Sequence, residues 1–491
     1  MSATEEVSET VGRQAGRGLR WSLVGNLVSK LGSFAMGLVL ARLLTPSDFG
    51  VFAVALAAMQ FVMYINDGGL IAATVQWRGK LEEMAPTAAS MALAFSVLIY
   101  AGFWFAAPVL ASVAHLPEAT GVVRLLTVVI LVDGVTAVRS GVLMREFRQD
   151  QLIRANMVGL TVNAVVAIGL ATAGAGAYAF AGGLVAGSAV TGVLVFRFAR
   201  VPVRYGFDPA IARRLMVFAI PLAASLGVEA VLMNTDYIVV GNHETAALLG
   251  FYLLAFNVST WALSVISSAV RYVSVAGFSR LSEVDKETLS DGVGRSVPLL
   301  VTALLPIAVL TACLASPLIE VLYGARWLPA APVLPFLMIL TVVRVLVSFA
   351  QDILMGAGST RSTLTVNLCW AVVLVPALIV GTKVGGIVGT GIAHASVALL
   401  VALPVTLLVL HRIGVRLAPL IPRLVRPLIG GVASGTVALA LAHATDSSPV
   451  LRLLAGGTAG AVVYALLAVP PAQLRLWLGA LRRRQAHAVA E

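Results

Sequence analysis

Residues 21–67, WSLVGNLVSKLGSFAMGLVLARLLTPSDFGVFAVALAAMQFVMYIND, decide the fold. Two apolar runs flank the short polar turn LTPSDFG at 44–50. Each run is about 20 residues, the length an α-helix needs to cross the hydrocarbon of a bilayer. Membrane strands are about 10 residues long with strict alternation, and neither run alternates. A backbone in lipid must also satisfy its own hydrogen bonds. The stretch therefore reads as two membrane helices joined by a tight turn.

The same unit recurs to the end of the chain. Apolar segments are expected at 21–43, 48–67, 86–110, 121–143, 155–175, 177–199, 212–240, 246–270, 294–316, 331–355, 363–382, 386–411, 421–443 and 450–470. Lys and Arg test this segmentation independently. With the N-terminus in the cytoplasm, 20 of the 34 fall in cytoplasmic joints and tails, 2 in outer joints and 12 inside the segments, most of these close to a segment end. Cytoplasmic excess of positive residues orients membrane helices. The reading is an all-α polytopic inner-membrane protein of about fourteen helices with both termini cytoplasmic.

Composition agrees. The chain is 59% hydrophobic and 12% charged, with a mean hydropathy of +0.95; soluble domains carry roughly twice that charge. The net charge of +11 sits beside apolar runs. It therefore points to anionic lipid headgroups and away from nucleic acid. Cys313 and Cys369 lie inside segments, with no metal-ligand or disulfide spacing, and read as packing residues. The first twenty residues are too polar for a signal peptide, so the first helix is expected to stay with the bundle. The outer joints, such as GAGA at 174–177 and NHETAALLG at 242–250, are too short to fold as separate domains.

An internal echo suggests two related lobes. At an offset of 200, Thr45, Gly50, Val51 and Phe52 align with Thr245, Gly250, Phe251 and Tyr252; at 211, Leu143, Met144 and Asn156 align with Leu354, Met355 and Asn367. The expected organisation is an N-terminal lobe 1–205 of six helices, a C-terminal lobe 206–412 of six more, and two additional helices with a basic tail over 413–491. The basic linker FRFARVPVRYGFDPAIARR at 196–214 joins the lobes.

Polar residues fall on helical stripes inside the apolar segments. Asn26, Lys30, Ser33 and Gly37 share one face of the first segment, and Gln60, Tyr64 and Asp67 one face of the second. The seventh carries Glu229 and Asp236, with Asn234 and Asn242 nearby. The eighth carries Asn257, Trp261, Ser264, Ser268 and Arg271, and the tenth Arg344, Ser348, Gln351 and Asp352. Asp133 stands alone in the fourth. A charge at the centre of a membrane helix costs roughly 2.5–3.5 kcal/mol, so such residues face a partner or a wet cavity. Helix–helix packing, snorkelling to an interface and structural ion pairs such as Lys30 with Asp67 or Arg344 with Asp236 are the plainer readings. A hydrophilic cavity is the simplest arrangement that satisfies all five striped segments.

Several chemistries are missing from the sequence. There is no Walker A run, no GxSxG, no HExxH and no Cys–His cluster, and the six histidines are scattered without metal-ligand spacing. Neither a cofactor nor a metal is expected. The outer joints offer no clustered acid–base pair for a membrane-embedded glycan ligase, so an enzyme is not expected.

The run RGLRWSLVGNLVSKLGSFAMGLVLARLLTPSDFGVFAVA, followed by DGGLIAATVQ, resembles the opening of the Wzx-type polysaccharide transporter flippases. These belong to the multidrug/oligosaccharidyl-lipid/polysaccharide exporter superfamily. The hallmark is the turn from Ala41 to Gly50, which includes Arg42, Pro46 and Asp48. The resemblance implies a carrier of undecaprenyl-pyrophosphate-linked oligosaccharide, with two six-helix lobes around a central, often cationic cavity. The stripes nominate Lys30, Arg271, Arg344, Asn26, Gln60, Trp261 and Asn257 to line it, with the cations on phosphate and Trp261 stacking on sugar. Arg42 belongs to the family turn and suits capping it equally well. Without a nucleotide site, an ion gradient or consumption of product outside must give direction. Asp133, Glu229 and Asp236 are the acids placed to bind H⁺ or Na⁺. The expected partners are the lipid-linked oligosaccharide, membrane lipids and polysaccharide polymerase machinery. A lipid II flippase and a drug/cation antiporter of the same superfamily are the competing readings.

Overall fold

The computed structural model describes residues 25–60, 81–146, 148–199, 204–282, 286–356, 360–444 and 448–468. No strand occurs among them. Helix α1 covers 25–43 and α2 begins at 46. They are followed by α3 (Leu81–Val113), α4 (Ala119–Leu126), α5 (Val128–Arg145), α6 (Gln149–Thr172), α7 (Tyr178–Phe198), α8 (Pro209–His243) and α9 (Ala246–Ser282). Then come α10 (Lys286–Cys313), α11 (Ala315–Tyr323), α12 (Leu334–Gly356), α13 (Thr360–Val397), α14 (Leu403–Arg412), α15 (Leu420–Ala444) and α16 (Pro449–Ala468). Among the described residues, 10 helical stretches are long and apolar enough to cross a bilayer. The chain is a multi-pass membrane protein. These ten are stretches of the described residues, one of which holds two helices; the figure of fourteen is the expectation from the sequence.

One of the ten, Ser362–Arg412, runs for 51 residues, and a straight helix of that length would be about 75 Å long. It is two helices. The backbone leaves helical geometry at Gly385 (φ −136°, ψ 19°) and Gly386 (φ 57°, ψ −142°), the last residue of the joint expected between the eleventh and twelfth segments and the first residue of the twelfth. The hydroxyls of Thr382 and Thr390 are 2.8 Å apart, whereas eight residues of straight helix would separate them by about 12 Å. The chain therefore folds back as a hairpin. Gly389 sits at its closest approach, where a Cβ would overlap the carbonyl oxygen of Gly381. Farther along, a π-helical turn at Ala398–Ala402 leads into α14, whose second residue is Pro404. Proline has no N–H to give the preceding turn, and a widened turn absorbs its ring.

Two joints have clear local causes. At the start of α2, Thr45 and Asp48 cap each other. The Thr45 N–H and hydroxyl donate to Asp48 Oδ2 at 2.9 and 2.7 Å, and the Asp48 N–H donates to Thr45 Oγ1 at 3.3 Å. With Pro46 at the first helical position, this is a capping box on a proline-started helix. Asp208 does the same work for α8, accepting from the Ala210 and Ile211 N–H groups at 2.8 and 3.2 Å. The linker ahead of it is pinned to α3, where Gly206 N–H donates to Ser90 Oγ and Asp208 N–H to Thr87 Oγ1.

The outer joint expected at 317–330 is structured. Helix α11 and a 3₁₀ turn at Ala325–Val333 enclose Trp327, which is 0% exposed. Burial pushes the neighbouring Tyr323 phenol above its ordinary range, so it stays neutral.

Packing groups the chain into two compact units. One comprises 1–254 and 378–390, the other 255–377 and 391–491. In the first, α6 lies along α7, and Phe180 on α7 stacks on Phe52 at 4.3 Å and meets Phe49 edge-on at 4.9 Å. In the second, α15 lies along α16, with the Ser434 hydroxyl donating to the Gly460 carbonyl at 2.8 Å. Tyr464 Oη reaches the Thr302 carbonyl of α10 at 3.0 Å. These units follow packing and divide the chain at points other than the repeat.

Two outcomes follow from this geometry. Gly389→Val cannot close the hairpin and should lower folded yield on size-exclusion chromatography by about five-fold or more. Gly385→Ala, with negative φ and open space at its Cβ, should leave that yield unchanged. Asp48→Ala should cost about 1 kcal/mol, read as a lower thermal midpoint in detergent, with Asp48→Asn intermediate.

Candidate functional site

The striped residues are placed by helices whose remaining faces are apolar. On α1, Asn26 and Ser33 are exposed and Lys30 is half-buried, but Leu27, Val28 and Leu31 are exposed too. Gln60 on α2 is half-buried. Tyr64 and Asp67, and with Asp67 its proposed pairing to Lys30, lie outside the described residues. So do the side chains of Glu229, Ser268 and Arg271.

Helix α9 is more decisive. Between Leu253 and Ser264 only Asn257 and Thr260 are exposed, while Leu253, Leu254, Phe256, Val258 and Leu263 are buried. A helix facing lipid shows the opposite pattern, as α3 does with Leu98, Phe105 and Val109 at 68%, 78% and 62% exposed. Trp261 and Ser264 flank the exposed pair and are half-buried, with the Ser264 hydroxyl closing on the Trp261 carbonyl at 2.9 Å. Thr260 is absent from the sequence-based stripe, because threonine occurs too commonly in membrane helices to stand out.

Arg344 on α12 is half-buried, with its guanidinium 5.4 Å from the centre of the Phe256 ring. That distance is within reach of a cation–π attraction. A second link between α12 and α9 is the Thr341 hydroxyl, which donates to Ser259 Oγ at 3.3 Å. Arg344 is thus held against the residue that precedes Asn257. The lower part of the α12 stripe does something else: Gln351 donates to Asn367 of α13 at 2.8 Å, and Asp352 is buried. Gln351 thus meets a partner on the neighbouring helix.

Among the acids, Asp236 on α8 is 0% exposed. It accepts from the Tyr252 hydroxyl at 2.9 Å and from the Tyr237 N–H at 3.0 Å. Asp133 on α5 is half-buried.

In the family turn, Arg42 is exposed at the end of α1, Pro46 and Asp48 are half-buried, and Gly50 is buried. Two buried groups escaped the sequence reading. Arg139 on α5 is 5% exposed and lies 3.8 Å from the centre of the Phe196 ring. His394 on α13 is buried edge-on to Trp370, with ring centres 6.4 Å apart. Among the described residues no group of His, Cys, Asp and Glu has the makings of a metal site.

The architecture and the sequence both have relatives. The succinoglycan biosynthesis transport protein ExoT of Rhizobium meliloti (strain 1021) is 26% identical over 480 residues, 94% of this chain and 93% of that one. The teichuronic acid biosynthesis protein TuaB of Bacillus subtilis (strain 168) is 21% identical over 471 residues, 94% and 96% of the two chains. Among solved structures, the lipid II flippase MurJ in an inward closed conformation superposes with a TM-score of 0.76 at 12% identity. It covers 92% of this chain and 98% of its own, so the two share a fold. The sequence profile described as "polysaccharide biosynthesis protein" matches residues 39–332. That is more than half of the chain, and the chain belongs to the polysaccharide biosynthesis protein family.

Proposed function

We propose that this protein carries undecaprenyl-pyrophosphate-linked oligosaccharide from the inner to the outer leaflet of the bacterial plasma membrane. It works by alternating access, with both termini cytoplasmic and no enzymatic step. Family membership supports the polysaccharide context, and the name of ExoT supports transport. The exposed polar pair Asn257 and Thr260, on a helix whose apolar neighbours are buried, carries the reading. Polar groups left unsatisfied in hydrocarbon cost several kcal/mol each, so this face of α9 borders water at membrane depth.

The chemistry follows from the cargo. A pyrophosphate and a glycan cannot cross hydrocarbon unaided, while a polyprenyl tail has no need to leave it. A polar chamber that takes in the head can leave the tail in lipid. Arg344 offers phosphate oxygens a planar, bidentate donor, and Phe256 beneath it restrains the guanidinium without neutralising it. Lys30 and Arg271 supply further charge; Asn26, Gln60 and Asn257 supply neutral hydrogen bonds. Trp261, beside the exposed pair, presents a ring for sugar. Glu229, Asp133 and Asp236 are the acids through which an ion gradient would act, and polymerase machinery outside would consume the product.

Deletion of the protein should trap labelled undecaprenyl-linked glycan on the cytoplasmic leaflet, and normal arrival on the outer leaflet would exclude the assignment. Arg344→Ala should lower export about ten-fold or more, as expected for loss of a charge-assisted phosphate contact, with membrane insertion and thermal midpoint retained. Arg344→Lys should recover part of that loss. Wild-type export by Arg344→Ala would remove the cation from the site.

A further inference from the structure

The two outer turns that echo each other in sequence also touch in the structure, inside the first packing unit. Gly50 of α2 stands against Ala246 of α9, and Gly250 of α9 against Pro46 of α2. A Cβ built on either glycine would overlap the opposing carbonyl oxygen, with the carbonyl carbon of Ala246 at 2.6 Å and that of Pro46 at 2.8 Å. Each half contributes the same pair, a compact residue at the first helical position and a glycine four residues later. The contact is therefore reciprocal, and only glycine permits it. The opposing atoms are helical main chain, so no side-chain rotation makes room for a methyl group.

The acids of these turns extend the pattern. Asp48 Oδ1 lies 2.7 Å from the Cβ position of Gly176, and Glu244 Oε1 lies 3.3 Å from that of Gly386. Gly176 and Gly386 have positive φ, 55° and 57°. They occupy corresponding tips, the joint between α6 and α7 and the hairpin of α13. In each half, the acid of the first turn thus touches the tip of the third. Two helix N-termini meeting head to head bring partial positive charges together, and Asp48 and Glu244 place negative charge beside them.

We propose that this reciprocal glycine contact is the outer gate of the transport cycle, closed in the present structure, and that α2 and α9 part there to release cargo outward. The proposal rests on the reading of the chain as a carrier. A gate must seal and still reopen. Main chain against glycine fills the gap without interlocking side chains, and its Cα–H···O contacts contribute only about 0.5–1 kcal/mol each. The acids then transmit the movement to the tips at Gly176 and Gly386.

The test uses the full-length protein with Cys313→Ala and Cys369→Ala. Ser47→Cys and Ala247→Cys are joined in membrane vesicles by a short cleavable bismaleimide. The cross-link should form, abolish export, and release export again on cleavage. Gly50→Ala with Gly250→Ala should lower cross-linking about five-fold or more. In that glycine background without the tether pair, Thr260→Cys should react faster with a membrane-impermeant maleimide added outside, by a similar factor. A tethered protein that exports normally, a pair that never cross-links, or unchanged cross-linking and labelling in the alanine variants would each overturn the gate. Cross-linking and labelling need no cargo. They stay readable if the untethered protein moves no oligosaccharide, which would count against the carrier reading alone.

Discussion

Hydrocarbon offers nothing to hydrogen-bond with, and that constraint shapes nearly every feature of this chain. It makes the described elements helical, because a helix satisfies its own backbone. It also decides where hydroxyls go. Thr136, Thr302, Thr382, Thr390 and Thr406 each donate to a carbonyl four residues back, at 2.7 to 2.9 Å. Threonine used in this way is internally satisfied and says little about water. Asn257 differs, because an exposed amide at that depth has two donors and an acceptor to satisfy.

The same constraint separates the two arginines that lie over aromatic rings. Arg139 is buried and sits close over Phe196, 3.8 Å from its centre. That geometry ties α5 to α7 and leaves the guanidinium little access to a ligand. Arg344 is half-buried and farther from Phe256, at 5.4 Å. Its ring contact restrains one face of the guanidinium. Equal charge in similar helices thus serves packing at Arg139, while Arg344 is the one proposed to meet cargo.

Much of the fold was legible because the relevant signals are local. Apolar length marked the helices and the break between 382 and 386, whereas the mutual cap of Thr45 and Asp48 appeared only in the structure. The echo at an offset of 200 was legible as similarity but not as proximity, since nothing in a sequence says that Gly50 and Gly250 meet. Stripes proved ambiguous for a related reason. Gln351 had the spacing of a cavity residue and bonds Asn367 across a helix pair, whereas Asn257 had the same spacing and is exposed. The partner, which sequence does not supply, makes the difference. Burial of Trp327 in the joint after α11 and of His394 against Trp370 likewise depends on tertiary neighbours.

The central claim is that a polar, positively lined passage carries a pyrophosphate-linked head past the acyl chains. Reconstitution into liposomes with a fluorescent undecaprenyl-pyrophosphate oligosaccharide in both leaflets, followed by an impermeant quencher added outside, tests it most directly. Quenching is expected to proceed beyond the outer-leaflet fraction toward completion in protein-containing vesicles, and not in vesicles carrying Arg344→Ala. Quenching that stops at the outer-leaflet fraction with the wild-type protein would contradict it.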